Sequence, residues 1–374
     1  MRDSDPTSGR RRSGGARRSV GAARPARSAG RRRTARTRRR PDAARVAQWA
    51  RVIWLVLIAA SVGGLLVTRV LDDAPELVRQ LSAGALTTLL AWGLAVRAGG
   101  RAWWAVVLAG SLSTLAFATG WEPLLAGGAV GTAVLAGTLA VLATQPAATF
   151  RLAIREALVA TLVAAVGAVG VVGFVPDAGG PGAALAVGRF RYVVLALALL
   201  GAMGLVYRLG AGFHGLGRRG YVLAGVAVLV LAVTLAYSEA LARWGAPELI
   251  GFFDGLRDGF REHLHAVPHP IAALLGYPAL VWGVFTRARR RQGWWVCAFG
   301  VAATATAATR LVDQATPVGT VLLSGLYSIV VGLALGYLVI RTEQALTGTH
   351  GRRARRHEEA AAHRPEPGRM HALH

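Results

Sequence analysis

Residues 52–70 read VIWLVLIAASVGGLLVTRV, an apolar run in which no charge occurs before Arg69. A helix that crosses a bilayer needs about 20 largely apolar residues, because lipid offers no hydrogen-bond partner to an open backbone. This run has that length. A secretory signal would instead carry about 7–15 apolar residues behind a short basic region and a small-residue cleavage site. Here the basic region covers residues 1–45, so the run is read as an uncleaved first membrane helix.

The same signature recurs outward from it. After the first span at 51–70, further spans are expected at 80–97, 102–119, 123–143, 154–175, 190–208, 220–240, 269–286, 293–311 and 318–340. The fold class is thus an all-α polytopic membrane protein of about ten transmembrane helices. Composition agrees: 53% of residues are hydrophobic, mean hydropathy is +0.43 and only 17% are charged, against about a quarter in a soluble chain. Most of the +24 net charge sits in tails and loops. All 43 basic residues are arginine, a mark of GC-rich coding and not of function.

Arginine placement orients the helices. Arg97 and Arg101, Arg151 and Arg155, Arg208, Arg218 and Arg219, and the group Arg287, Arg289, Arg290 and Arg291 fall at one end of successive spans. Asp72, Asp73, Glu76, Glu122, Asp177, Glu239, Glu248 and Asp313 fall at the other. This asymmetry places both termini in the cytoplasm of a plasma-membrane protein. Arg69, Arg79 and Arg243 run against it but have acidic neighbours, whereas Arg189 and Arg191 have none in sequence.

Three domains follow: a disordered arginine-rich tail over 1–45, a transmembrane domain over 46–341, and a second disordered tail over 342–374. In the first tail sixteen arginines face only Asp3, Asp5 and Asp42. Next to a membrane span, such a segment is drawn to anionic lipid headgroups. No aromatic residues interleave with the arginines, so nucleic acid is not the expected partner.

Three ordered matches suggest a parallel repeat of helices 1–4 as helices 7–10. Ala74-Pro75-Glu76-Leu77 recurs as Ala246-Pro247-Glu248-Leu249, and Trp103-Trp104 recurs as Trp294-Trp295. The stretch from Val130 to Gly137 resembles that from Val318 to Gly325. Small-residue spacings, Gly127 with Gly131, Gly167-Gly170-Gly173 and Gly332 with Gly336, are read as helix-packing faces. Pro278, the one mid-span proline, is read as a helix kink.

The segment 247–265 has apolar residues Leu249, Phe253, Leu256, Phe260 and Leu264 at helical spacing, with Asp254, Asp258, Arg261 and His265 on the opposite face. It is expected to be an amphipathic helix at the outer interface. Its ionisable residues Glu248, Asp254, Asp258, Glu262 and His265 are the candidate catalytic groups. Glu262 and His265, at i and i+3, are the one metal-ligand candidate. The plainer reading is a solvated face laced by Asp254–Arg257 and Asp258–Arg261 pairs.

Charge is otherwise rare within the spans. Arg310 and Asp313, one turn apart, are read as an interfacial ion pair, and Arg155 with Glu156 in the same way. Cys297, the single cysteine, is expected to be a buried small residue. Phosphate-cradling loops, nucleophile elbows and Cys/His zinc pairs are absent from the sequence, and no cofactor is implied. The leading functional expectation is a non-enzymatic, transporter-like bundle for a small or lipidic solute. The alternatives are an enzyme acting on a lipid-linked substrate at the outer face and a membrane scaffold that uses its arginine-rich tail.

Overall fold

The computed structural model describes residues 41–71, 74–175, 183–208, 261–290, 293–312, 316–347 and 366–373, with scattered positions between 222 and 259 and at 356 and 360. Among the described residues every regular element is a helix. The bundle comprises residues from Gln48 onward. Its first six helices are α1 (Pro41–Val70), α2 (Glu76–Arg97), α3 (Ala102–Thr119), α4 (Glu122–Leu142), α5 (Phe150–Val172) and α6 (Ala183–Arg208). A π-helical turn (Ala272–Gly276) leads into α7 (Tyr277–Arg287), followed by α8 (Gly293–Phe299), α9 (Val301–Thr309) and α10 (Val318–Thr347).

Local chemistry sets the ends of these elements. Glu76 in the first turn of α2 and Arg97 in its last complement the helix dipole. Gly120 takes φ 61° and returns its N–H to the Ala116 carbonyl, ending α3 in the left-handed cap that glycine adopts without strain. Thr149 caps α5, its side chain accepting from the Leu152 N–H at 3.4 Å.

Seven described helical stretches are long and apolar enough to cross a membrane: 48–70, 102–119, 122–142, 150–172, 189–208, 293–312 and 318–346. That marks the chain as a membrane protein. The other three expected spans fall short of that measure for separate reasons. In α2, Arg79, Gln80 and Arg97 flank and dilute the apolar stretch. The 269–286 span is interrupted by the π turn, and 220–240 lies outside the described residues apart from scattered positions. The sixth helix begins at Ala183, earlier than expected.

Burial divides the spans into a centre and a periphery. In the 293–312 stretch 78% of the residues are buried, against 11% in α1, α3 and α10. The reason lies in side-chain size. Small residues along α9 let its neighbours approach closely: Thr304 donates to the Gly137 carbonyl of α4 at 2.8 Å, and Gly276 abuts the Ala303 backbone. The outer helices present Leu, Val and Ile, such as Leu55, Val56, Leu108, Leu322 and Val330, on their exposed faces. Inside, Thr87 and Thr132 pair their hydroxyls at 2.7 Å between α2 and α4.

Several expectations about packing meet a different outcome. Trp103 and Trp104 stack at 4.0 Å on an exposed face of α3, whereas Trp294 and Trp295 are buried in the centre. Likewise Val130–Gly137 lies in the half-buried α4 and its match in the exposed α10. The matched segments therefore do not share packing environments. Gly167, Gly170 and Gly173 do meet neighbouring helices, as do Gly332 and Gly336, but Gly127 and Gly131 face open space. Ahead of Pro278, the Tyr277 N–H reaches back to the Ala272 carbonyl, so a π turn precedes the proline.

Candidate functional site: an arginine-lined mouth

Helices α2, α4 and α7 end, and α5 begins, at the same end of the bundle. The last carbonyls of α4 have no basic residue in their own last turn to meet them. Guanidinium groups from elsewhere do so. Arg97 donates to the Leu142 carbonyl at 2.7 Å and to that of Thr144 at 3.5 Å. Arg369 donates to the Ala143 carbonyl at 2.9 Å, and Arg287 to the Thr144 carbonyl at 3.1 Å and its hydroxyl at 2.7 Å. The negative end of the α4 dipole favours this gathering of cations.

Both Arg97 and Arg287 have 0% relative exposure. Arg287 also lies 3.4 Å over the Trp294 ring, a cation–π contact that offsets part of the lost hydration. Glu156, on α5 and 1% exposed, accepts from the Gln145 N–H at 2.8 Å and pairs with Arg155 at 3.1 Å.

The remaining partners come from the far end of the chain. Arg97 donates to the carbonyls of Pro367, Gly368 and His371 at 3.2, 2.8 and 3.1 Å. Arg287 donates to the Glu366 carboxylate at 2.6 Å. Arg369 grips both oxygens of Glu156 at 2.5 and 2.7 Å. The Leu373 N–H returns to the Arg97 carbonyl, and its side chain packs against the core. Arg51 holds the His371 ring. Residues 366–373, expected within a disordered tail over 342–374, thus have a fixed seat in the bundle, and α10 itself continues to Thr347. The physical reason is that the buried arginines have more donors than α4 and its following turn accept, and these backbone carbonyls and Glu366 meet the rest.

From the sequence, Arg97 and Arg287 read only as charges at helix ends, and Arg155 with Glu156 as an interfacial ion pair. The Arg155–Glu156 pair is present, but the chief partner of Glu156 is Arg369. No periodicity links residues so far apart, so nothing in the sequence pointed to the seat.

The sequence-predicted candidates lie elsewhere. Glu248, Asp254 and most of 247–265 fall outside the described residues, including Leu249, Phe253, Leu256 and Phe260. Asp258 pairs with Arg261 at 3.8 Å and both are exposed. Glu262 is exposed on the last helical turn, while His265 leaves the helix with φ 58°, its N–H bonded to the Arg261 carbonyl. That left-handed cap ends the helix before His265, so the i, i+3 relation to Glu262 is not a helical one. Among the described residues no group of three His, Cys, Asp or Glu side chains could hold a metal ion.

Asp313 is likewise outside the described residues. Its expected partner Arg310 turns to α10, donating to the Ser328 hydroxyl at 3.2 Å and the Val321 carbonyl at 3.4 Å. Ser328 also accepts from the His269 N–H at 2.7 Å. Ser324 and Tyr327 donate to the carbonyls of Val267 and Leu264. Together these bonds pin the 264–269 segment against α10.

At the end opposite the arginine mouth, a cleft of about 520 Å³ opens between the ends of α1 and α5 and the starts of α2 and α10. Leu65, Leu66, Val169, Val172, Val175 and Val321 form its walls, with Thr68, Arg69, Glu76, Arg79 and Thr316 among its polar lining. Arg79 pairs with Glu76 and donates to the Gly173 carbonyl at 2.5 Å. The hydrogen bond from Arg79 holds the Glu76 carboxyl, which precedes the apolar stretch of α2, below the usual carboxylate range. Comparison with family models, with curated proteins and with solved structures finds no match to this chain.

Proposed function

We propose that this chain is a non-enzymatic, transporter-like plasma-membrane bundle for a small or lipidic solute. In this reading it has ten spans, both termini are cytoplasmic, and the arginine-rich tail rests on anionic headgroups. The three spans beyond the seven are 80–97 within α2, 220–240 and 269–286. The observation that carries the solute reading is the cleft between α1, α2, α5 and α10. Its size is that of small-molecule sites, and its apolar walls with a charged lining suit an amphiphile, acyl chain inward and headgroup beside Arg69, Glu76 and Arg79.

Purification in mild detergent followed by native mass spectrometry tests this. Wild type is expected to retain a lipidic molecule that Val172→Trp, with Val321→Trp, expels by filling the cleft. In proteoliposomes the same pair should slow movement of a labelled lipid of that class. Unchanged lipid retention and movement in the filled variant would reject the cleft as the solute site.

A further inference from the structure

With residues 366–373 set aside, the groups that meet Arg97 and Arg287 among the described residues are neutral. They are the Leu142 and Thr144 carbonyls, the Thr144 hydroxyl, the Cys297 sulfur at 3.8 Å and the Trp294 face. Glu156, the nearby acid, is already met by Arg155 and the Gln145 N–H. Two desolvated guanidinium groups over neutral acceptors form a site that calls for an anion. Arg–carboxylate pairs favour two parallel hydrogen bonds. Glu366 gives only one: its Oε2 accepts from Arg287, while Oε1 is buried without a hydrogen-bond partner, as is Arg287 Nε. The occupant is therefore an imperfect one.

We infer that Arg97, Arg287 and Thr144 form an oxyanion-binding mouth, and that Glu366–Leu373 is its tethered, displaceable occupant. Glu366 stands where the carboxylate or phosphate of a ligand binds. An oxyanion that engages both Arg287 and Arg97 replaces the Glu366 carboxylate and the carbonyls of Pro367, Gly368 and His371. On release of the segment Glu156 keeps Arg155 and the Gln145 N–H, so no buried carboxylate is stranded. Because the segment is tethered, it competes at an effective concentration on the order of millimolar, and the mouth opens only to an oxyanion of comparable strength. This holds whatever occupies the cleft at the other end of the bundle.

The test uses the full chain with Cys297→Ser and spin labels on Arg101→Cys and Met370→Cys, reconstituted in nanodiscs of neutral phosphatidylcholine. Pulsed dipolar spectroscopy should show one narrow distance in chloride buffer. E366Q with R369Q, which alters only the segment, should raise the released fraction roughly 10- to 100-fold, the loss expected for charge-assisted hydrogen bonds. Millimolar inorganic phosphate in neutral nanodiscs, or phosphatidic acid in the nanodisc without free phosphate, should release the wild-type segment. Release in the first arm identifies a soluble oxyanion, and release only in the second a lipid headgroup. The inference is overturned by a broad distribution in the unliganded wild type, by a narrow one that neither arm nor E366Q with R369Q disturbs, or by release that chloride of equal ionic strength reproduces.

Discussion

Replacing Gly276 with alanine tests whether the centre of the bundle is held by backbone-to-backbone approach. A Cβ at Gly276 would fall 2.7 Å from both Cα and Cβ of Ala303, and nearer still to its amide nitrogen. These are backbone positions that no rotamer change can move. Restoring ordinary contact at 3.4 Å with that nitrogen, 2.2 Å away, requires a separation of about 1.2 Å (3.4 − 2.2). A radial gap of about 0.5–1 Å already forfeits a quarter to a half of each neighbouring dispersion contact, and this one is wider. Overpacking costs about 1–3 kcal/mol, and the rigid opposing backbone places this site at the upper end. Alanine's better helix propensity returns about 1 kcal/mol. A net loss of about 2 kcal/mol should lower the Tm by on the order of 5 °C. The assay is built into the chain: Cys297 is fully buried, so a thiol-reactive fluorophore reports unfolding directly. Gly131→Ala is the control, since nothing lies within 4 Å of its new Cβ, and its Tm should stay or rise by about 2 °C. Equal midpoints for the two variants would refute the packing argument.

The hydroxyl pair between α2 and α4 gives a smaller effect: Thr132→Val removes the 2.7 Å bond to Thr87 and should cost about 1 kcal/mol in the same thermal assay. Acid titration of stability should show a contribution from Glu76. Its carboxyl is held below its ordinary value, so the Arg79 pair is fully present above the ordinary carboxylate range and is lost as pH falls through the lowered value. Glu76→Gln should flatten that acid limb, and an unchanged limb would show that the pair contributes nothing. For topology, Cys297→Ser carrying Ala74→Cys should react with an impermeant thiol reagent in intact cells, whereas Gly99→Cys should not. Reversed labelling would invert the proposed orientation.

The legible part of the fold was the set of apolar runs. Helix ends such as Thr119, Leu142, Arg97 and Arg208 fell within a residue of the expected boundaries, because Gly, Pro and charged residues punctuate the runs. Repeated words were poor guides. In a chain dominated by Ala, Gly, Val and Leu, similar words arise on central and peripheral helices alike, and the two Trp pairs show it, one exposed and one buried. Of the candidate site residues, Asp258 and Arg261 pair as the spacing implied, while His265 leaves the helix through a left-handed residue that periodicity does not register.

The sequence by itself determined that this chain is helical and suited to a membrane, because hydrophobic length is a local property and lipid forces each such stretch to satisfy its own backbone. It also determined that charge would be scarce within the spans. Only the tertiary structure decided which end-of-helix arginines turn inward and what meets them. Arg97 finds Gly368 and Arg369 finds Glu156, partners separated by 271 and 213 residues. A segment such as Glu366–Leu373 reads locally as a solvated tail, since it has no apolar periodicity of its own. Its seat exists because three helix ends converge and leave buried guanidinium donors, and the free energy of meeting those donors belongs to the assembled bundle, not to any stretch of sequence.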